Sequence, residues 1–183
     1  MNTVTARRLD GLLWPLVHRL PASVGNRSPC RPEEVPVLQA ALDAPLVAIK
    51  LVGLGSLALL APALAGYAER SGRPTFLVTV AANRALLELL DWRVTPIYLR
   101  SERAVLLGWD VIRQARRLRR LRPAAVVDLE FHSAFTALFG HALRPLRHVA
   151  LADPGRRGPA TDAVTQAPDL HFADLARGLL SAL

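Results

Sequence analysis

A single cysteine, Cys30, stands among the 183 residues. One thiol cannot close an intrachain disulfide or build a cysteine-cluster metal site, so the reducing cytoplasm is the expected compartment. Lysine is as scarce: Lys50 is alone, and the net charge of +8 is almost wholly arginine. Metal-ligand spacing, a nucleophile elbow and a Walker lysine are all missing, which sets aside zincin-type, serine-hydrolase and P-loop chemistry. The N-terminus lacks a clean secretory signal, because Asp10, Pro15 and His18 break its apolar part. An unbroken membrane span is missing too. Residues Leu51 to Ala68 carry no charge over a length near the spanning threshold. Gly53, Gly55 and Pro62 interrupt that run and Lys50 abuts it, so it is expected to be core.

What is present suits one domain of ordinary size, and 51% hydrophobic residues suffice for a real core. The organising stretch is Leu46 to Tyr67, LVAIKLVGLGSLALLAPALAGY. A short apolar run, a turn at Gly53-Leu54-Gly55 and a Leu/Ala-rich segment from Ser56 read as buried strand, glycine turn and helix. Ser56 is expected to be the helix N-cap, and Pro62 to kink the helix or delay its regular start. Strands follow at Thr75 to Val80, Val94 to Leu99, Ala124 to Leu129 and Arg147 to Leu151, with helices between them. Pro96 suits an edge strand. Asp153 to Pro168 reads as loop, and Leu170 to Leu183 as a closing helix. Strand alternating with helix predicts an α/β, Rossmann-like, doubly wound and mainly parallel sheet of five strands in the order 3-2-1-4-5. Residues 1–44 are expected to hold an amphipathic helix and a Pro-rich linker, and residues 45–183 the sheet domain. In the first, Leu9, Leu12, Leu13, Leu16, Val17 and Leu20 share a helical face flanked by Arg7, Arg8 and Arg19. It either packs on the domain or lies on an anionic membrane surface.

Gly53 to Ala58 fits G-x-G-x-x-G/A after a strand, the dinucleotide fingerprint. The acidic residue that should follow at the end of the second strand is missing from TFLVTVAANR. Arg84 would suit a 2′-phosphate but falls inside the next helix. In the expected order the first and fourth strands are neighbours, so Gly53 to Ser56 face Glu130, Phe131 and His132 across the crevice. Glu130 is then a candidate general base with His132 as helper, or else it caps the next helix. Arg103 to Arg122 is an amphipathic helix with Leu106, Trp109, Ile112 and Leu118 as its buried stripe. Its arginines are a solvated face or a grip for phosphate groups. They lack interleaved aromatics, and nucleic acid is not expected as a partner.

Three stretches, IKLVGLGSLALLAPALAGYAERSG, ANRALLELLDW and VVDLEFHSAFTALFGHAL, resemble glycosyltransferase family 9, the ADP-heptose:lipopolysaccharide heptosyltransferase group. The tail TDAVTQAPDLHFADLARGLL resembles the end of that family's N-terminal domain. The resemblance implies one half of a GT-B enzyme, the half that takes a phosphorylated, lipid-linked saccharide acceptor at the cytoplasmic face of the membrane. The nucleotide-sugar donor belongs to a second half that these residues do not resemble, so a truncated or split form, inactive alone, is expected. No cofactor and no metal are expected. Together with the reading of the turn and crevice, the candidate residues are Lys50, Gly53, Gly55, Ser56, Arg84 and His132 as substrate-binding, and Glu130 and Ser56 as catalytic. Ser56 stands where many heptosyltransferases carry an aspartate, and a neutral hydroxyl cannot take a proton as a carboxylate does. A non-catalytic saccharide-lipid or membrane-surface binding protein and, further off, a dinucleotide-dependent enzyme are the alternatives.

Overall fold

The structure is a computed structural model. It describes residues 11, 13–20, 44–90, 92–130, 133–152, 159–165, 171–181 and 183. Six strands form one fully parallel sheet in the order β3-β2-β1-β4-β5-β6. They are β1 (Leu46–Ile49), β2 (Thr75–Val80), β3 (Val94–Leu99), β4 (Ala125–Asp128), β5 (Arg147–Ala152) and β6 (Asp162–Thr165). The helices are α1 (Leu54–Ser71), α2 (Arg84–Glu88), α3 (Ala104–Arg120), α4 (Ala134–Ala142) and α5 (Phe172–Ser181).

The fold class and the order of the first five strands are as the sequence predicts, and β3 with its Pro96 lies at the sheet edge. The sixth strand corrects the expectation of a loop over Asp153 to Pro168. DAVT is too short and too polar to announce itself, and it gains strand geometry by pairing with Val149–Ala152. Of the N-terminal part, residues 13–17 are helical. Val17 is buried there while Leu16 is exposed. The Pro-rich linker expected within residues 1–44 falls in residues 21–43, outside the described residues.

Side-chain alternation divides the core in two. Leu46 and Ala48 of β1 join α1, α2 and α5 on one face of the sheet. Val47, Ile49 and Leu51 join α3 and α4 on the other. Strands buried on both faces must be apolar throughout, which is why β1 and β4 read as continuous runs. The exception is Asp128, fully buried at the end of β4. α1 runs unbroken through Pro62 and stops at Gly72, whose left-handed φ of 65° closes the last turn. Among the described residues no helix is long and apolar enough to cross a membrane.

Close packing sets one position outside the site. A Cβ added to Gly140 of α4 would come within 2.6 Å of His148 Nε2 and 3.3 Å of Val126 Cγ1. His148 is buried, and desolvation pushes its imidazole down to about 4. Both neighbours are buried side chains that would have to shift, so Gly140→Ala is expected to cost about 1–3 kcal/mol. Urea denaturation checks this, and a loss below about 0.5 kcal/mol would show that α4 can shift.

Candidate functional site at the glycine turn

In an open parallel sheet, ligands collect at the carboxyl ends of the strands where the winding reverses. Here that point lies between β1 and β4, which pair directly. Beyond β1 the chain passes Lys50, Leu51 and Val52 into Gly53. Gly53 has φ 95°, and a Cβ there would meet Ser56 Oγ at 2.6 Å, so this turn requires glycine.

Gly53, rather than Ser56, is the N-cap of α1. Ser56 lies inside the first turn, where its hydroxyl donates back to the Gly53 carbonyl at 2.9 Å. Glycine tolerates the cap geometry, so the helix starts earlier than the serine suggests. No side chain caps α1, and its first turn holds no acid. Its leading N–H groups and the positive end of an 18-residue helix therefore favour an anion, with phosphate the common case.

The turn is held from both sides. Glu130 Oε1 accepts from the backbone N–H of Leu51 and of Val52, each at 2.6 Å, and pairs with Lys50 Nζ at 3.0 Å. From β2's side, the Asn83 amide donates to the Leu51 carbonyl at 3.0 Å and to Thr79 Oγ1 at 2.8 Å. Both backbone polar groups of Leu51, its N–H and its carbonyl, are thus claimed by side chains of flanking elements. Lys50 is 4% exposed at its side chain and sits 5.8 Å from the centre of the Phe172 ring. Its ammonium is committed to the clamp. All the described contacts of Glu130 fall on Oε1, leaving Oε2 unengaged among the described residues.

Beneath this clamp lies Asp128, whose Oδ1 accepts from the Glu130 N–H at 3.0 Å. Desolvation is the main cause that pushes its carboxyl up to about 7; the Thr136 hydrogen bond and the Glu130 N–H oppose it. The folded state therefore holds this proton more tightly than the unfolded chain, whose value is near 3.8. Its contribution to stability is fully present at pH below about 4, falls as pH rises, and is lost above about 7. His148 slopes the other way: its depressed value makes stability fall as pH drops from 6.5 toward 4. Comparing Asp128→Asn with the unaltered chain isolates the carboxyl. The variant is expected to gain up to about 4 kcal/mol more at pH 8 than at pH 4. An equal difference at both pH values would contradict a buried, protonated Asp128.

The other candidates divide. Gly53, Gly55, Ser56, Lys50 and Glu130 come together at the turn. Arg84 does not: its guanidinium lies 4.6 Å over the Tyr98 ring on β3, with Glu88 at 4.0 Å. His132 and Phe131 lie outside the described residues. Asn83, Asp128 and Thr136 were missed. A carboxylate inside the apolar run AAVVDL was the visible signal for Asp128. For Asn83 it was a polar amide just beyond the end of β2.

No protein-family model matches the chain, and no curated protein does. Solved structures do. A glycosyl transferase family 9 protein from Veillonella parvula DSM 2008 shares the fold over 77% of this chain and 41% of its own, with 13% identity and a TM-score of 0.61. The E. coli heptosyltransferase WaaC, solved with ADP, matches over 75% of this chain and 47% of its own, with 16% identity and a TM-score of 0.58. The same enzyme solved with ADP-2-deoxy-2-fluoro heptose gives the same figures. The chain spans less than half the length of these structures. At such identities the likeness is one of fold, a Rossmann-like α/β half as found in these glycosyltransferases.

Proposed function

We propose that this chain is the acceptor-side half of a family-9-type glycosyltransferase. In this reading a sugar passes from a nucleotide-sugar to a lipid-linked, phosphate-bearing saccharide of the lipopolysaccharide kind. The fold likeness to the Veillonella protein over 77% of the chain carries this reading. The uncapped N-terminus of α1 at the winding reversal supports an anionic group there. The acceptor docks at the turn of Gly53, Gly55 and Ser56, at the cytoplasmic face of a membrane to which the protein is peripheral. The donor binds on a second Rossmann-like half, because transfer needs both substrates held in contact and the leaving diphosphate stabilised. Glu130, through Oε2, takes the proton of the attacking hydroxyl.

A non-catalytic binding protein is the second reading. It is favoured by Ser56 in place of a carboxylate and by the clamp that already occupies Glu130 Oε1. Reconstitution separates the two. The chain is mixed with the donor-binding half of a family-9 transferase, a nucleotide-sugar and a lipopolysaccharide-type acceptor, and product is followed by mass spectrometry. Transfer above that of either half supports the enzyme. Acceptor binding without transfer supports the binding protein, and neither result sinks both.

A further inference from the structure

The outer face of α3 does not match the sequence expectation. Trp109 and Ile112, expected in the buried stripe, are 61% and 48% exposed, and Val105 is 82% exposed. Leu118 is buried as expected, but the rest of the buried face is Leu107, Asp110 and Gln114. Asp110 is inside because Arg100 binds it through two nitrogens, at 2.9 and 2.7 Å, which holds its carboxyl down to about 2. Val105, Trp109 and Ile112 follow at helical spacing on the opposite side. Arg113, Arg116, Arg117 and Arg120 continue the same stripe. Trp109, Ile112 and these four arginines line a shallow groove of about 320 Å³. Asp110 is the lone acid of α3 and Arg100 holds it in a bidentate pair, so the helix carries no other acid to set against its arginines.

We propose that this face of α3 docks the protein flat on an anionic lipid bilayer, with Val105, Trp109 and Ile112 entering the headgroup boundary and the four arginines gripping lipid phosphates. Exposed apolar residues beside uncompensated arginines fit a surface that is apolar below and anionic above. Trp favours that boundary. Two of the three apolar residues are aliphatic and offer no face for stacking bases, so RNA or DNA fits less well. The opposite face of α3 packs, through Leu107 and Leu118, on the sheet core of Val47, Ile49 and Leu99, so docking the outer face leaves that packing undisturbed. The inference shares only the lipid surface with the proposed function, and stands or falls without any sugar transfer.

Vesicle flotation of the whole chain tests it, with equimolar phosphatidylglycerol and phosphatidylcholine against phosphatidylcholine alone. Binding to the anionic vesicles is expected, weakening as salt is raised. Replacing Arg113, Arg116, Arg117 and Arg120 by Gln should weaken it at least about tenfold. Trp109→Ala with Ile112→Ser should weaken it with every arginine retained. These side chains are exposed, so the melting temperature should hold; the salt series on the unaltered chain needs no variant. Equal binding to neutral vesicles, no binding at low salt, or variants that float like the parent would overturn the proposal. So would capture of single-stranded RNA that anionic vesicles fail to displace.

Discussion

Glu130→Ala is expected to destabilise the protein by about 3–5 kcal/mol, a large part of the roughly 5–15 kcal/mol that holds a domain together. The substitution strands Lys50, whose side chain is 4% exposed, with no counter-charge. It also removes the acceptor for the Leu51 and Val52 N–H groups at the entrance to the turn. Lys50→Met should cost less, because Glu130 then keeps both amides and is 12% exposed to water. Combining Lys50→Met with Glu130→Gln removes both charges while leaving an amide oxygen to accept. The pair should recover much of the loss, as a buried ion pair replaced whole is cheaper than one broken. Urea denaturation of the parent, Lys50→Met, Glu130→Gln and the double variant gives the coupling, with Glu130→Ala measured beside them. If Glu130→Ala stays within about 1 kcal/mol of the parent, the clamp does not hold the turn.

The second large effect is on turnover. In the reconstituted system Glu130→Gln is expected to lower the rate at least about a hundredfold, the ordinary worth of a positioned base. Acceptor affinity should change little, since Gln can still accept from the turn. Ser56→Ala should matter far less, because its hydroxyl is spent on the Gly53 carbonyl. Gly53→Val should abolish acceptor binding itself, as φ 95° and the 2.6 Å approach to Ser56 Oγ leave no room for a side chain. Undiminished turnover by Glu130→Gln would reduce Glu130 to a clamp and leave another group as base.

Much of the fold was legible because its signals are local. Continuous apolar runs mark strands buried on both faces, and the crossover pattern then fixes β1 beside β4 and brings Glu130 to the turn. What Glu130 does there was not legible: its amide partners are 78 and 79 residues away in sequence. The sequence of helix α3 misleads for a related reason. Its inner face carries Asp110 and Gln114, so choosing the most apolar stripe selected Trp109 and Ile112, which face out. Only Arg100, arriving from beyond β3, makes a buried Asp110 tolerable. The sixth strand exists through pairing with β5 and has little pattern of its own.

On the proposed function, the turn at Gly53 receives a phosphorylated saccharide acceptor and not the nucleotide-sugar donor. Calorimetric titration of the 183-residue chain measures it directly. Phosphorylated lipopolysaccharide-core saccharides are titrated in parallel with ADP- and UDP-sugars and with NAD and NADP. Saturable binding of a phosphosaccharide that is lost in Gly53→Val is expected, with no binding of the nucleotides. Saturable binding of a nucleotide-sugar or a dinucleotide, abolished by the same substitution, would contradict that reading.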